Sequence, residues 1–166
     1  VSLTLILLRH AKSGWDDLIA SDHERTLTDR GTRDAHAIGA WLRQKRYLPD
    51  AALSSDATRT RQTMQGVLPG LDQTDQTQYL SALYNASVDT ILRLIKRQSA
   101  KTVLICAHNP GIGFAAQQLA LTPPQHQRFD DYPTAATTVM RFDAADWSDI
   151  RQGTVTDFVI PADLKQ

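Results

Sequence analysis

A chain of 166 residues with 18 Lys plus Arg against 18 Asp plus Glu, 42% apolar and 22% charged, has the length and composition of one soluble domain, residues 1–166. Balanced charge provides no global field to attract nucleic acid or a membrane surface, so neither is expected as a partner, and any anion site must be local. The lone cysteine, Cys106, excludes an internal disulfide and points to a cytoplasmic setting; no apolar run approaches the ~18 residues of a membrane span, and no signal peptide is expected.

The first element is Leu3–Leu8, an unbroken apolar run that suits a central strand buried on both faces and ends abruptly in Arg9-His10. Ala35, Ile38, Trp41 and Leu42 share one helical face and predict a helix from about Asp29 to Arg46. Ala51–Ser54 reads as a strand, and Asp56 is expected to cap a helix through Arg59 and Thr63. Val67–Gln76 reads as loop and Thr77–Leu80 as strand. Val88, Ile91, Leu92 and Ile95 form a helical stripe, with Ser87 as N-cap and Asp89 in the first turn. Thr102–Ala107 is a second buried strand, ending in His108. Asn109 and Pro110 read as N-cap and first residue of a helix carrying Ile112, Ala115, Ala116 and Leu119. A loop, Leu121–Pro133, precedes strands at Thr137–Phe142 and Thr154–Val159. Alternating strands and helices predict a layered α/β domain, whose ligands sit beyond the carboxyl ends of the strands.

Arg9, His10 and His108 fall at such ends, and Arg59 lies in the first turn of a helix, where free backbone donors also collect. Arginine forks match the oxygens of a phosphoryl group, and a neutral imidazole among them can attack phosphorus.

Three ordered segments carry a resemblance. Arg9-His10-Ala11 follows the first strand; Ser55-Asp56-Ala57-Thr58-Arg59-Thr60-Arg61-Gln62-Thr63 has a serine, an arginine and then Gln-Thr; Cys106-Ala107-His108-Asn109-Pro110-Gly111 ends a buried strand in histidine. Together they resemble the signatures of the histidine phosphatase superfamily. Arg-His-Ala-Lys-Ser-x-Trp and the segment Ser21–Gly31 are similar to its SixA-type phosphohistidine phosphatases. The resemblance implies a three-layer α/β/α sandwich with a central, mostly parallel sheet, as in phosphoglycerate mutases, and no metal or cofactor. It implies His10 as the group that takes the phosphoryl, with Arg9, Arg59 and His108 holding its oxygens and His108 protonated or donating. Ser13 and Asp16 lie where related mutases place phosphate-pocket residues; a carboxylate suits an orienting role better than anion contact.

One departure bears on substrate. Many relatives place a glutamate general acid after the strand that here ends near Leu80. Leu80–Ser87 holds no acid, and the only glutamate of the chain is Glu24. An alkoxide leaving group needs that proton, whereas an imidazole, with a pKa near ~6.5, does not need a strong acid. The reading is therefore a phosphatase acting on phosphohistidine of a protein partner, with Asp22 as the nearest substitute acid. A small-molecule phosphomonoesterase and a non-catalytic phosphohistidine-binding module are the alternatives. His23, His36 and His126 read as structural or surface residues, Cys106, Trp15 and Trp41 as packing residues, and Lys12 and the Asp130-Asp131 pair as solvated.

Overall fold

In the computed structural model, which describes residues 1–70 and 77–165, the strands are β1 (Leu3–Arg9), β2 (Ala51–Ser55), β3 (Thr77–Leu80), β4 (Thr102–Ala107), β5 (Thr137–Phe142) and β6 (Thr154–Val159). The helices are α1 (Asp29–Gln44), α2 (Thr58–Val67), α3 (Val88–Lys96), α4 (Gly111–Leu119) and α5 (Pro161–Leu164). One sheet has the order β3-β2-β4-β1-β5-β6. The pairs β1–β4, β2–β4 and β2–β3 are parallel, and β5 runs antiparallel to both β1 and β6, so β5 alone opposes the other strands.

The apolar runs are continuous because both faces of the sheet are covered. Leu3, Leu5 and Leu7 of β1, with Val103 and Ile105 of β4, pack with Ile91 and Ile95 of α3 and Ile112 and Ala116 of α4. The alternate residues, Ile6, Leu8, Leu104 and Cys106, pack on the other face with Ala35, Ile38 and Leu42 of α1 and Met64 and Val67 of α2. Period-two alternation along two central strands thus produces the three layers. Cys106 is fully buried in the second layer, and burial pushes its thiol above the ordinary value.

Three element ends differ from expectation, each through a tertiary or turn contact. Helix α1 stops at Gln44: Arg46 takes a positive φ of 63°, and the Arg46 and Tyr47 amides donate to Arg43 O and Leu42 O, a Schellman closure made without glycine. Asp56 does not cap α2. Ser55 Oγ accepts from the Ala57 amide at 3.2 Å, while Asp56 pairs with His23 at 2.8 Å. Helix α4 starts at Gly111 with Pro110 at the N-cap position; Asn109 is held outside it, its Nδ2 donating to the carbonyls of Asp131 (3.2 Å) and Tyr132 (2.9 Å) while its Oδ1 accepts no bond from the helix. Of the expected loop Val67–Gln76, Val67 closes α2, Leu68–Gly70 form a short 3-10 turn, and 71–76 lie outside the described residues. Among the described residues no helix is long and apolar enough to cross a membrane.

Close approach at Gly31 sets the segment after β1. A Cβ there would stand 2.1 Å from the Lys12 carbonyl oxygen, which also accepts the Thr28 amide at 2.9 Å. Gly31→Ala should therefore cost ~1–3 kcal/mol in urea unfolding, the range for overpacking a filled interior.

Candidate active site

Register brings the site together. Arg9 sits opposite Ala107, and the His10 amide donates to the Ala107 carbonyl at 3.1 Å. The residues that follow, His10 and His108, therefore leave adjacent parallel strands side by side, with ring centroids 5.2 Å apart. On the far side of β4, Ser54 of β2 pairs with Cys106, so Ser55 ends beside His108, and α2 begins three residues later with Arg59 in its first turn. His10, Arg59 and His108 are 6%, 4% and 3% exposed.

The Gln-Thr of the second segment holds this arrangement. Thr63 Oγ1 accepts the Ala11 amide at 2.9 Å and donates to Arg59 O at 2.7 Å, tying the residue after His10 to the helix that carries Arg59. Gln62 Oε1 accepts the Leu27 amide at 2.8 Å. Arg9 Nη1 donates to the Tyr132 carbonyl at 3.1 Å, and the Tyr132 hydroxyl donates to Leu7 O at 2.8 Å. The loop before β5 thus fixes Arg9 from the opposite end of the chain.

A backbone carbonyl defines the tautomer of His10. His10 Nδ1 lies 2.7 Å from the Ala11 carbonyl, which can only accept, so Nδ1 carries the proton and the lone pair is on Nε2. Burial is the main force that lowers the His10 pKa to about 3, and the nearby His108, Arg9 and Arg59 charges act in the same direction. His108 Nε2 lies 2.8 Å from Ser55 Oγ. That oxygen also accepts the Ala57 amide; where its own hydrogen is given to Nε2, the His108 proton sits on Nδ1. Burial, then Arg59, lowers the His108 pKa to about 4, so His108 donates as a neutral imidazole. Among the described residues six buried side-chain polar atoms have no hydrogen-bond partner, and three of them are Arg9 Nε, Arg59 Nε and His108 Nδ1. Buried donors normally find acceptors. Donor nitrogens from three converging elements, around a neutral imidazole with a free lone pair, can hold a tetrahedral oxyanion and attack its centre.

The rim is built from residues the sequence left unassigned or assigned otherwise. Asp22 accepts from Arg59 Nη2 at 3.1 Å, from Arg25 Nε at 3.1 Å and from the Tyr84 hydroxyl. The Tyr84 bond is the largest of the interactions that pull its pKa down to about 2. A carboxyl held ionised is a poor proton donor at neutral pH, which removes Asp22 as the substitute general acid. His23 stands at this rim, on Asp56 and edge-on to Tyr84 at 4.8 Å. Ser13 Oγ accepts from Arg25 Nη1 at 2.8 Å, and the Arg25 guanidinium lies over the Trp15 ring. Trp15 itself is 65% exposed, so it packs on Arg25 and outside the core. Asp16 is exposed and makes no hydrogen bond to the four-residue cluster. Asp131 pairs with Arg128 and exerts its field on Arg9, which burial otherwise pulls below its ordinary value.

The sequence profile of the histidine phosphatase superfamily (branch 1) matches residues 5–87. With this fold and this histidine–arginine cluster, the chain belongs to that superfamily and is a phosphatase. An uncharacterised protein of Mycobacterium tuberculosis is 35% identical over 153 residues, covering 88% of this chain and 93% of that one. An inferred phosphohistidine phosphatase, SixA, of Agrobacterium tumefaciens superposes with a TM-score of 0.79 at 27% identity, over 96% of this chain and 98% of that one. Its counterpart from Nakamurella multipartitia gives 0.77 at 30% identity, over 97% of both. Within the superfamily the chain falls in the SixA-type branch.

The neutral histidines predict an acid-sensitive fold. Folded His10 and His108 bind protons only near pH 3 and 4, against 6.5 for a free side chain. Between those limits the unfolded chain holds more protons, so stability is full above about pH 6.5 and declines as the pH falls toward 4. Thermal melts from pH 7 to 4 should show a drop that is shallower in the His10→Gln, His108→Gln double variant.

Proposed function

We propose that this protein is a phosphohistidine phosphatase that takes the phosphoryl group from a histidine of a protein partner onto His10 and then gives it to water. Supporting the reading above all is the state of His10: neutral, with its Nδ1 proton given to Ala11 O and its Nε2 lone pair free, among Arg9, Arg59 and His108. In this reading Nε2 forms the bond to phosphorus, the P–N bond of the substrate breaks, and the electron pair leaves on the substrate imidazole. Arg9, Arg59 and His108 Nδ1–H hold the equatorial oxygens. Ser13 supports Arg25 at the rim, and Asp16 stands outside the phosphoryl pocket.

Substrate class is argued from what stands where a proton donor would be needed. The turn after β3 presents Tyr84, and Tyr84 is committed to Asp22, whose hydrogen bond raises its pKa. An imidazole leaving group tolerates that arrangement; an alkoxide does not.

During turnover, denaturing quench at alkaline pH should trap labelled phosphate on the wild-type chain and none on His10→Ala. Absence of a wild-type adduct overturns the covalent route. Arg59→Ala removes charge-assisted hydrogen bonds worth ~1.5–3 kcal/mol each and should lower kcat/KM by about ten-fold or more. Unchanged kinetics would place Arg59 away from the phosphoryl group.

A further inference from the structure

Asp22 sets an electrostatic problem. Among the described residues it is the carboxylate that pairs directly with the cluster, and its negative charge sits on the arginine that would hold a dianion. Its side chain is 41% exposed against 5% for Arg59, so it stands on the solvent side of the guanidinium, where a leaving group carried by another protein must lie. Anchoring Arg59 does not require it. The Asp22 backbone carbonyl already accepts from Arg59 Nη1 at 2.6 Å. A charge in that position disfavours phosphate esters, whose leaving oxygen gains negative charge as the P–O bond breaks.

Resting on the phosphohistidine reading above, we propose that Asp22 is a specificity-determining residue that accepts a hydrogen bond from the distal ring N–H of the substrate's phosphoimidazolium. A phosphorylated imidazole protonated on its other nitrogen carries one positive charge next to the phosphoryl dianion. Asp22 favours that form, and Arg25 Nε, Arg59 Nη2 and the Tyr84 hydroxyl keep the carboxylate ionised through the pH range in which the substrate ring is protonated. His10 Nε2 bonds to phosphorus, the substrate P–N bond breaks, and its electron pair stays on the substrate nitrogen. The ring departs as neutral imidazole with the distal proton in place. Phospho-His10 is then the mirror image: an imidazolium whose Nδ1–H is held by the Ala11 carbonyl. Water next adds its oxygen to phosphorus, the Nε2 lone pair returns to His10, and of the two water protons one leaves on the phosphate and the other passes to bulk solvent. One ring nitrogen replaces another, so no separate acid is called on at the transfer step.

The test measures kcat/KM of wild type, Asp22→Asn and Asp22→Glu on a phosphohistidine peptide and on p-nitrophenyl phosphate. Asp22→Asn should lower the phosphohistidine-to-ester ratio by about ten-fold, the scale of one charge-assisted hydrogen bond, and Asp22→Glu should recover part of it. Asp22→Ser supplies a second charge-free variant if the first folds poorly. Equal losses on both substrates, or an unchanged ratio, would confine Asp22 to positioning Arg59 and overturn the proposal while leaving the substrate reading intact. A wild-type chain that cleaves only the ester overturns both.

Discussion

Two arginines and two histidines gathered in one buried cluster repel one another if all are charged, and the site exists because the imidazoles give up their protons. Burial does most of this, and the arginine charges add to it. Neutrality then becomes chemistry: it frees the lone pair on His10 Nε2, and a Ser55 hydrogen given to His108 Nε2 would place the His108 proton on its other nitrogen. The carboxylates, Asp22 and Asp131, are kept at the edges, one on Arg59 and one within the field of Arg9. What remains inside is two fixed positive charges, the complement of a phosphoryl dianion.

That cluster depends on backbone pairing as well as on its four side chains. Parallel pairing of β1 with β4 places the ends of two strands level, and β2 adds a third on the other side of β4. A slip of one residue would send His10 and His108 to different heights and opposite faces. The Thr63 hydroxyl, bonded to the Ala11 amide and to Arg59 O, is the crosspiece that keeps helix and strand end in register.

Much of this was legible in the chain. All six strands, β1 to β6, lie where the sequence predicts them, to within a residue at either end, and the stripe of α3 with its Ser87 cap is found as expected, Ser87 Oγ accepting the Thr90 amide. The four cluster residues stand out because each follows a strand or opens a helix. What was hidden depends on distant partners. Asp56 has the local chemistry of a helix cap, yet His23 takes it, and Asn109 is drawn by its Nδ2 to the Asp131 and Tyr132 carbonyls, with its Oδ1 left uncoupled from the helix. Arg9 is fixed by Tyr132, 123 positions away, in a stretch whose composition reads as plain loop. Tyr84 carries no motif, and the segment Ser21–Gly31 that holds His23 does not show its partner; only folding brings them to Asp22 and Asp56 at the mouth of the site. Strand order follows from pairings that no local pattern encodes.

The single cysteine and both methionines, Cys106, Met64 and Met140, are fully enclosed by the sheet and its covering helices. Oxidation of sulfur needs access and, for cysteine, a thiolate that burial suppresses here. Peroxide therefore meets no exposed cysteine or methionine sulfur on this chain, and the histidine–arginine cluster contains none.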